Sequence, residues 1–228
     1  MRASHVGEVI ADTGREDLRA RIVDEAPGWY SPVAHLLFPS FFGLFVIVWV
    51  ASKLTPMQTW EWAVVPLTWL LSNASEWRVH KRLLHKRRWF ATALYDRHSP
   101  EHHMLFTHDD MVVRSRTEWR KVLLPAWAIV LLAIGVSPVT AGLWRWVSPN
   151  TGLLFLATAM GYVVSYEWLH LSYHLAADHP VSKLGIVRRL GRHHATHHNP
   201  ELMQKWNFNV TIPLTDLAVG TVYRDGEG

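Results

Sequence analysis

The sequence contains no cysteine among its 228 residues. This absence excludes disulfide bonds, thiolate metal sites and cysteine-ligated iron–sulfur clusters, and it leaves the redox compartment open. Histidine, with 15 residues, is unusually frequent and is the first candidate for a metal ligand.

Charge is also missing from four long stretches of the chain. Residues 31–52, 122–144 and 146–166 contain no Asp, Glu, Lys or Arg, and residues 54–75 contain only Glu61. A helix of about 20 mostly apolar residues crosses a bilayer. The stretches form two pairs with short joins, which predicts four transmembrane helices as two hairpins. A buried helix of a soluble protein is the alternative for any single stretch, and the mean hydropathy is a modest +0.02.

The basic residues predict the orientation of these helices. Of the 23 Lys and Arg residues, 21 lie in the N-terminal lead, between the two hairpins or after the fourth helix. By the positive-inside rule, these segments and both termini are cytoplasmic. The net charge of +4 and the basic run HKRLLHKRRW then indicate a membrane-surface patch rather than a nucleic-acid site.

These patterns together predict an all-α integral membrane protein with a cytoplasmic, helical, histidine-rich cap. Residues 1–30 form a cytoplasmic lead with an amphipathic helix near 15–25, residues 31–224 form the membrane domain, and residues 225–228 form a tail. A bacterial inner membrane is the expected location, since the sequence carries no organelle-type signal.

Ten histidines fall into four clusters. They are His80 and His85; His98, His102 and His103; His170 and His174; and His194, His197 and His198. His170 and His174 share one helix face and can bind the same ion. His80 and His85 converge if the helix ends or distorts near Leu84, or else they serve two ions. Since one zinc ion takes three or four ligands, ten histidines predict at least two metal ions.

Two of the clusters contain adjacent histidines, His102 with His103 and His197 with His198. Adjacent side chains point in different directions, so one turn can offer ligands to two ions. Glu76 and Glu167 lie one turn before His80 and His170, where carboxylates orient metal-bound imidazoles. Further candidates for ligands or orienting groups are His179, His193, Asn207 and Asp216. Imidazole suits iron, zinc, copper and nickel. A zinc peptidase is excluded because H-E-x-x-H does not occur.

The order of the clusters after two helical hairpins resembles that of the membrane fatty acid hydroxylase / sterol desaturase superfamily. HLSYHLAADHP resembles the family's H-x3-H followed by a further histidine, GRHHATHH its last cluster, and NFNVTIPLTDLAVGT its closing segment. The resemblance covers roughly residues 35–224. It implies that the ten clustered histidines hold two iron ions, which use O2 and supplied electrons to hydroxylate or desaturate a lipid. It also implies a separate electron donor of the ferredoxin, rubredoxin or cytochrome type.

Hydroxylation of a fatty acyl, sterol or related lipid chain is the preferred function, and desaturation by the same site is the alternative. A metal-binding membrane protein without catalysis and a soluble helical metalloprotein are the competing classes. The sequence leaves the lipid and the oxidised carbon open.

Overall fold

The computed structural model describes residues 14–224, and this part of the chain is helical, without a β-strand beyond one isolated bridge. Its α-helices are α1 (residues 14–24), α2 (Pro32–Lys53), α3 (Val64–Val79), α4 (Thr92–Arg97), α5 (His103–Leu105), α6 (Trp119–Val122), α7 (Ala126–Trp146), α8 (Pro149–Tyr173), α9 (Gly185–His197) and α10 (Leu214–Val219). The all-α prediction is confirmed for these residues. The first 13 residues of the predicted lead and the predicted tail lie outside the described residues.

Three helical segments are long and apolar enough to cross a membrane: α2, the segment Arg116–Trp146 that contains α6 and α7, and α8. The two helices α2 and α8 begin in the same way. Ser31 and Ser148 are their N-caps, each accepts a hydrogen bond from a backbone N–H, and each is followed by proline at the first helical position. A multi-pass membrane protein fits these three segments.

The second predicted span, residues 54–75, does not appear among these membrane candidates. The structure places there a 3-10 turn, Thr59–Ala63, followed directly by α3, which has 16 residues. Such a helix is about 24 Å long, less than the roughly 30 Å of hydrocarbon in a bilayer. The four-helix topology therefore remains a hypothesis, with α3 as its shortest member.

The helix α8 is the centre of the bundle and packs against α2, α3, α7 and α9. Two glycines allow close approach. A Cβ atom at Gly43 would lie 2.5 Å from Val164 Cγ2, and one at Gly152 would lie 2.7 Å from the Thr140 carbonyl oxygen. The outer faces of α2, α3 and α7 carry exposed apolar side chains, including Phe41, Phe45, Trp49, Leu67, Leu71, Val130 and Ile134. Exposed apolar surface of this extent is typical of a lipid-facing belt.

A polar contact joins the two interhelical turns at the end of the bundle opposite to the histidines. Glu61 accepts hydrogen bonds from Ser148 Oγ at 2.5 Å, from Asn150 Nδ2 at 3.0 Å and from the backbone N–H of Gln58 at 2.8 Å. Thr55 donates its backbone N–H to Asn150 Oδ1 at 3.1 Å. Glu61 thus fixes the turn that precedes α3 to the beginning of α8.

The histidine-rich segments fold together at the other end, beyond α3 and α8. The predicted amphipathic helix is present as α1, and its buried face carries Leu18, Arg19 and Ile22. Leu18 and Ile22 belong to one core with Phe106 and Leu171. The cap is therefore a packed extension of the bundle, and it contains the candidate site.

Candidate metal centre

The structure brings nine of the ten predicted ligands into two buried groups, in each of which the ring nitrogens lie within 4.8 Å of one another. Group A contains His80, His85, His98, His103 and His197, and group B contains His102, His174, His194 and His198. The pair from the first hairpin enters group A, and His174 from the second hairpin enters group B. The other two clusters, in contrast, contribute to both groups: His98 and His103 belong to group A and His102 to group B, while His197 belongs to group A and His194 and His198 to group B.

Group A is compact. The Nε2 atom of His98 lies 2.9 Å from that of His80, 3.3 Å from that of His85 and 3.0 Å from that of His103. The Nε2 atoms of His85 and His197 are 2.9 Å apart. Five imidazoles thus direct the same ring nitrogen toward one point.

Group B has the same character. The Nε2 atom of His198 lies 3.2 Å from that of His102 and 3.1 Å from that of His194. The buried Nε2 atom of His174 has no hydrogen-bond partner among the described residues. His170 lies beside this group, with its ring 4.9 Å from the rings of His102 and His194 between centroids. Both of its buried ring nitrogens also lack a partner in the part of the chain described.

Two π-helical turns explain how residues five apart meet in group A. In the turn His80–Leu84 the backbone N–H of His85 donates to the carbonyl of His80, and in the turn His98–His102 the N–H of His103 donates to that of His98. A π-turn widens the helix, so i and i+5 share a face there, and such turns are frequent at functional sites. The sequence left open whether His80 and His85 converge through a distorted helix or serve two different ions. The structure shows the distorted helix, with both residues in group A.

Backbone carbonyls orient five of these ten rings. In group A, Nδ1 of His80 donates to the Phe208 carbonyl and Nδ1 of His197 donates to that of Trp206, the latter at 2.9 Å. In group B the corresponding carbonyl acceptors belong to Lys121 for His102 at 3.1 Å, Met111 for His174 at 2.7 Å and Phe106 for His198 at 2.5 Å. A neutral imidazole has a single N–H, so each donating Nδ1 leaves Nε2 as a bare lone pair.

The residues present fit a metal ion in each group. Burial lowers the pKa of His80 and His174 to about 4, and burial together with repulsion from neighbouring histidines lowers the pKa of His98 well below its ordinary value. The rings are therefore neutral near pH 7, and their lone pairs repel one another unless a cation lies between them. Nitrogen ligands 2.0–2.1 Å from one ion lie about 3 Å apart, as they do here. The absence of thiolate and the all-imidazole donor set suit iron, zinc, copper or nickel.

The model of the fatty acid hydroxylase family matches residues 65–221 of the chain. The chain belongs to the fatty acid hydroxylase family. This finding confirms the predicted superfamily, whose members are oxidoreductases that use iron. The matched residues include all four histidine clusters. No curated protein and no solved structure matches the chain.

The two glutamates that precede the family's histidine pairs contact other groups than the imidazoles. Glu76 accepts hydrogen bonds from the hydroxyl of Tyr162, from the backbone N–H of Val210 and from both the N–H and the hydroxyl of Thr211. Glu167 accepts the backbone N–H of Leu124 at 3.0 Å. The two glutamates thus hold backbone segments next to the carbonyl groups that accept from the histidines, and they act on the rings only through these segments.

Asp216 and Asn207 occupy the closing segment in a similar role. Asp216 is buried and accepts the backbone N–H groups of Phe208 at 3.1 Å and Asn209 at 2.7 Å. Burial raises its pKa, but the hydrogen bonds from His193, Thr221 and Asn209 outweigh this and lower the pKa overall. Asn207 has a φ of 57° and donates its amide to the carbonyl of His193 at 3.0 Å.

The further candidates His179 and His193 lie outside both groups. His193 donates to Asp216 at 3.2 Å, so it joins the support of the closing segment rather than the ligand set. His179 lies at the surface, where its Nδ1 accepts the backbone N–H of Val181 at 3.2 Å. The prediction that they are further ligands therefore has no geometric support.

Sequence reasoning missed two kinds of participant. The first is the set of backbone carbonyls that orient the rings, which leave no signal in side-chain identity. The second is the buried polar network around Asn73, whose amide donates to Tyr162 at 3.1 Å, Thr211 at 3.2 Å and the Ile212 carbonyl at 2.7 Å. A signal for this network was present, because Asn73 and Glu76 are three residues apart and share one face of α3.

Proposed function

We propose that the protein is an O2-dependent di-iron lipid hydroxylase that acts at the cytoplasmic face of the membrane. The observation that carries the proposal is the pair of adjacent, buried, all-imidazole groups in a chain of this family. The proposed iron ligands are His80, His85, His98, His102, His103, His170, His174, His194, His197 and His198. Two redox-active irons, when bound there, supply the O2 activation that oxidation of an unactivated C–H bond requires.

The protein residues hold and orient the irons and exclude water. Each Nδ1 that donates to a carbonyl keeps its ring in the tautomer and direction that present the Nε2 lone pair to iron. Burial of both groups keeps bulk water from the reactive centre, which protects an oxidant from unproductive reduction. No side-chain nucleophile is assigned, because the histidines act as ligands.

The placement of the groups supports an apolar substrate. Both lie immediately beyond the ends of α3 and α8, where a fatty acyl, sterol or related lipid chain in the bilayer reaches them. We propose four membrane helices as two hairpins, with the basic, histidine-bearing end in the cytoplasm, by the positive-inside rule. A bacterial inner membrane remains the proposed location.

Electrons are proposed to come from a separate donor of the ferredoxin, rubredoxin or cytochrome type. The chain has no cysteine for a cluster of its own. The exposed basic residues Arg82, Lys86 and Arg88 flank His85 of group A along the chain. Such residues favour encounter with an acidic carrier.

The test begins with metal content. Detergent-purified protein from iron-supplemented cells is compared with the His197→Ala/His198→Ala variant, which removes one ligand from each group, and with His179→Ala as a matched control outside both. The proposal expects iron in both groups of the wild type and of His179→Ala, and its loss from the double variant. Well-folded wild-type protein without metal overturns the proposal.

Membrane lipids from cells that express the protein are then analysed by mass spectrometry under isotopically labelled O2. A lipid alcohol that carries the label supports hydroxylation, whereas an alkene without label supports the desaturase alternative. Metal-loaded protein that forms neither product with a reductant and O2 indicates the non-catalytic alternative.

A further inference from the structure

The two histidine groups are supported by two different segments of the chain. The carbonyls that orient group A belong to Trp206 and Phe208. The carbonyls that orient group B belong to Phe106, Met111 and Lys121. Because the two sets lie in separate segments, a change that loosens one segment acts on one group.

The segment that serves group B is held by Arg19 of the N-terminal helix α1. Arg19 is 5 % exposed, and its Nη1 donates to Glu118 Oε2 at 2.7 Å. Its Nη2 lies 3.4 Å from the carbonyls of Leu105 and Val112 and from Asp110 Oδ2. One guanidinium therefore joins the beginning, the middle and the end of the segment 105–118.

The contact continues from Arg19 to the rings themselves. The guanidinium lies over the Phe106 ring at 5.8 Å from its centroid. The Phe106 ring in turn lies 4.4 Å from the ring of His174 and 5.3 Å from that of His102, between centroids. The carbonyl of the same residue accepts from His198 at 2.5 Å. Phe106 thus transmits the position of Arg19 to three of the four histidines of group B.

Glu118 completes this buried contact. Its carboxylate also accepts the backbone N–H of Arg114 at 3.0 Å, so it holds the segment from within. A buried charge that loses its partner is strongly unfavourable, and the two residues therefore depend on each other. Further along α1, the carbonyl of Ile22 accepts from Arg120 at 3.2 Å, next to Lys121, whose carbonyl orients His102.

Group A has its own anchor in Asp216. This carboxylate binds the backbone N–H groups of Phe208 and Asn209 and the hydroxyl of Thr221 at 2.6 Å. It lies in the closing segment, and among the described residues it forms no hydrogen bond with α1. Arg19 and Asp216 are therefore two separate anchors, Arg19 for group B and Asp216 for group A.

We propose that Arg19 is a positioning residue for the metal ion of group B, and that α1 is a strap which fixes this half of the centre alone. The inference rests on the proposed function only in that both groups hold a metal. The strap lies outside residues 65–221, which match the family. Loss of groups that orient metal-bound histidines typically weakens metal affinity by roughly 10–100-fold.

The experiment measures metal affinity group by group, by titration of full-length protein in detergent against a competing chelator. Arg19→Met, which keeps an apolar stem, is introduced into the wild type and into two backgrounds. In one background His80→Ala/His197→Ala disables group A, and in the other His174→Ala/His198→Ala disables group B. We expect Arg19→Met to weaken the remaining metal by roughly 10–100-fold in the first background and to leave it unchanged in the second.

Asp216→Asn is the matched variant for the other anchor, and the reverse pattern is expected. Arg19→Lys keeps a cation opposite Glu118 but loses the planar fork, so it restores part of the affinity of group B. Retention of group A metal in Arg19→Met shows that the fold is intact. Equal loss from both groups, or no loss from group B, overturns the strap. A wild type that binds fewer than two metals contradicts the proposed function instead.

Discussion

Replacement of Glu76 is expected to damage both the fold and group A, because its carboxyl group is the acceptor for four donors. These donors are the hydroxyl of Tyr162, the backbone N–H groups of Val210 and Thr211, and the Thr211 hydroxyl at 2.6 Å. Glu76→Leu leaves all of them buried without this acceptor. Each such donor left unpaired costs about 1–3 kcal/mol. One of the two hydroxyls can still donate to the other across the 2.7 Å between Tyr162 and Thr211, whereas Asn73 only donates to them.

The combined loss is therefore about 4 kcal/mol, a large part of the stability of a typical domain. For a chain of this length, this lowers the melting temperature by about 8–16 °C. The segment that follows Phe208 also becomes mobile, so its carbonyl no longer fixes His80, and group A loses metal before group B. Glu76→Gln keeps the shape and two acceptor positions, so a smaller loss is expected.

The assay is thermal unfolding of the purified protein in detergent, followed by metal titration of the surviving folded fraction. Glu201→Gln provides the control, because Glu201 is exposed and lies outside both groups. A melting temperature for Glu76→Leu equal to that of the wild type, with group A metal retained, would refute the reasoning. It would mean that the closing segment is held in place without this carboxyl group.

Two further predictions concern packing and pH. Gly152→Ala places a Cβ 2.7 Å from the Thr140 carbonyl oxygen, and such overpacking against the backbone costs about 1–3 kcal/mol of stability. The control is Gly161→Ala, whose Cβ lies 3.8 Å from the nearest atom. This variant is expected to be neutral or slightly stabilising in the same unfolding assay. Equal stability of the two variants would contradict close packing of α7 on α8. The pKa of His80 and His174 is lowered from 6.5 to about 4, so the unfolded chain binds more protons between these values. Metal-free protein should therefore lose stability as the pH falls from 6.5 toward 4 and be insensitive above 7, and a flat melting-temperature profile over this range would speak against neutral buried rings.

The histidine clusters show how far spacing along the chain can lead. Spacing i, i+4 places His170 and His174 on one face, because helix geometry is local and regular. Spacing i, i+5 left His80 and His85 undecided, since it requires a π-turn that no residue type announces. The same holds for His98 and His103, which meet through a second π-turn.

The membrane helices are a second case. Absence of charge marked α2, α7 and α8, because hydrocarbon excludes charge whatever the tertiary fold. The same criterion also marked residues 54–75, where the structure has a 3-10 turn and a shorter helix. Polar Asn73 and Glu76 in that helix turn inward to the closing segment, a contact between residues more than 130 positions apart.

The sequence by itself determined the helical fold of the described residues, three segments apolar enough to cross a membrane, the family, and histidines that fold into two groups able to hold metal ions. These depend on composition and on local periodicity, and both can be read from the linear sequence without knowledge of tertiary contacts. Only the tertiary structure decided which histidine joins which group, which carbonyls orient five of the rings, and which segments Arg19 and Asp216 hold. The physical reason is that these contacts join distant segments, and their geometry is set by how the cap folds on the ends of α3 and α8.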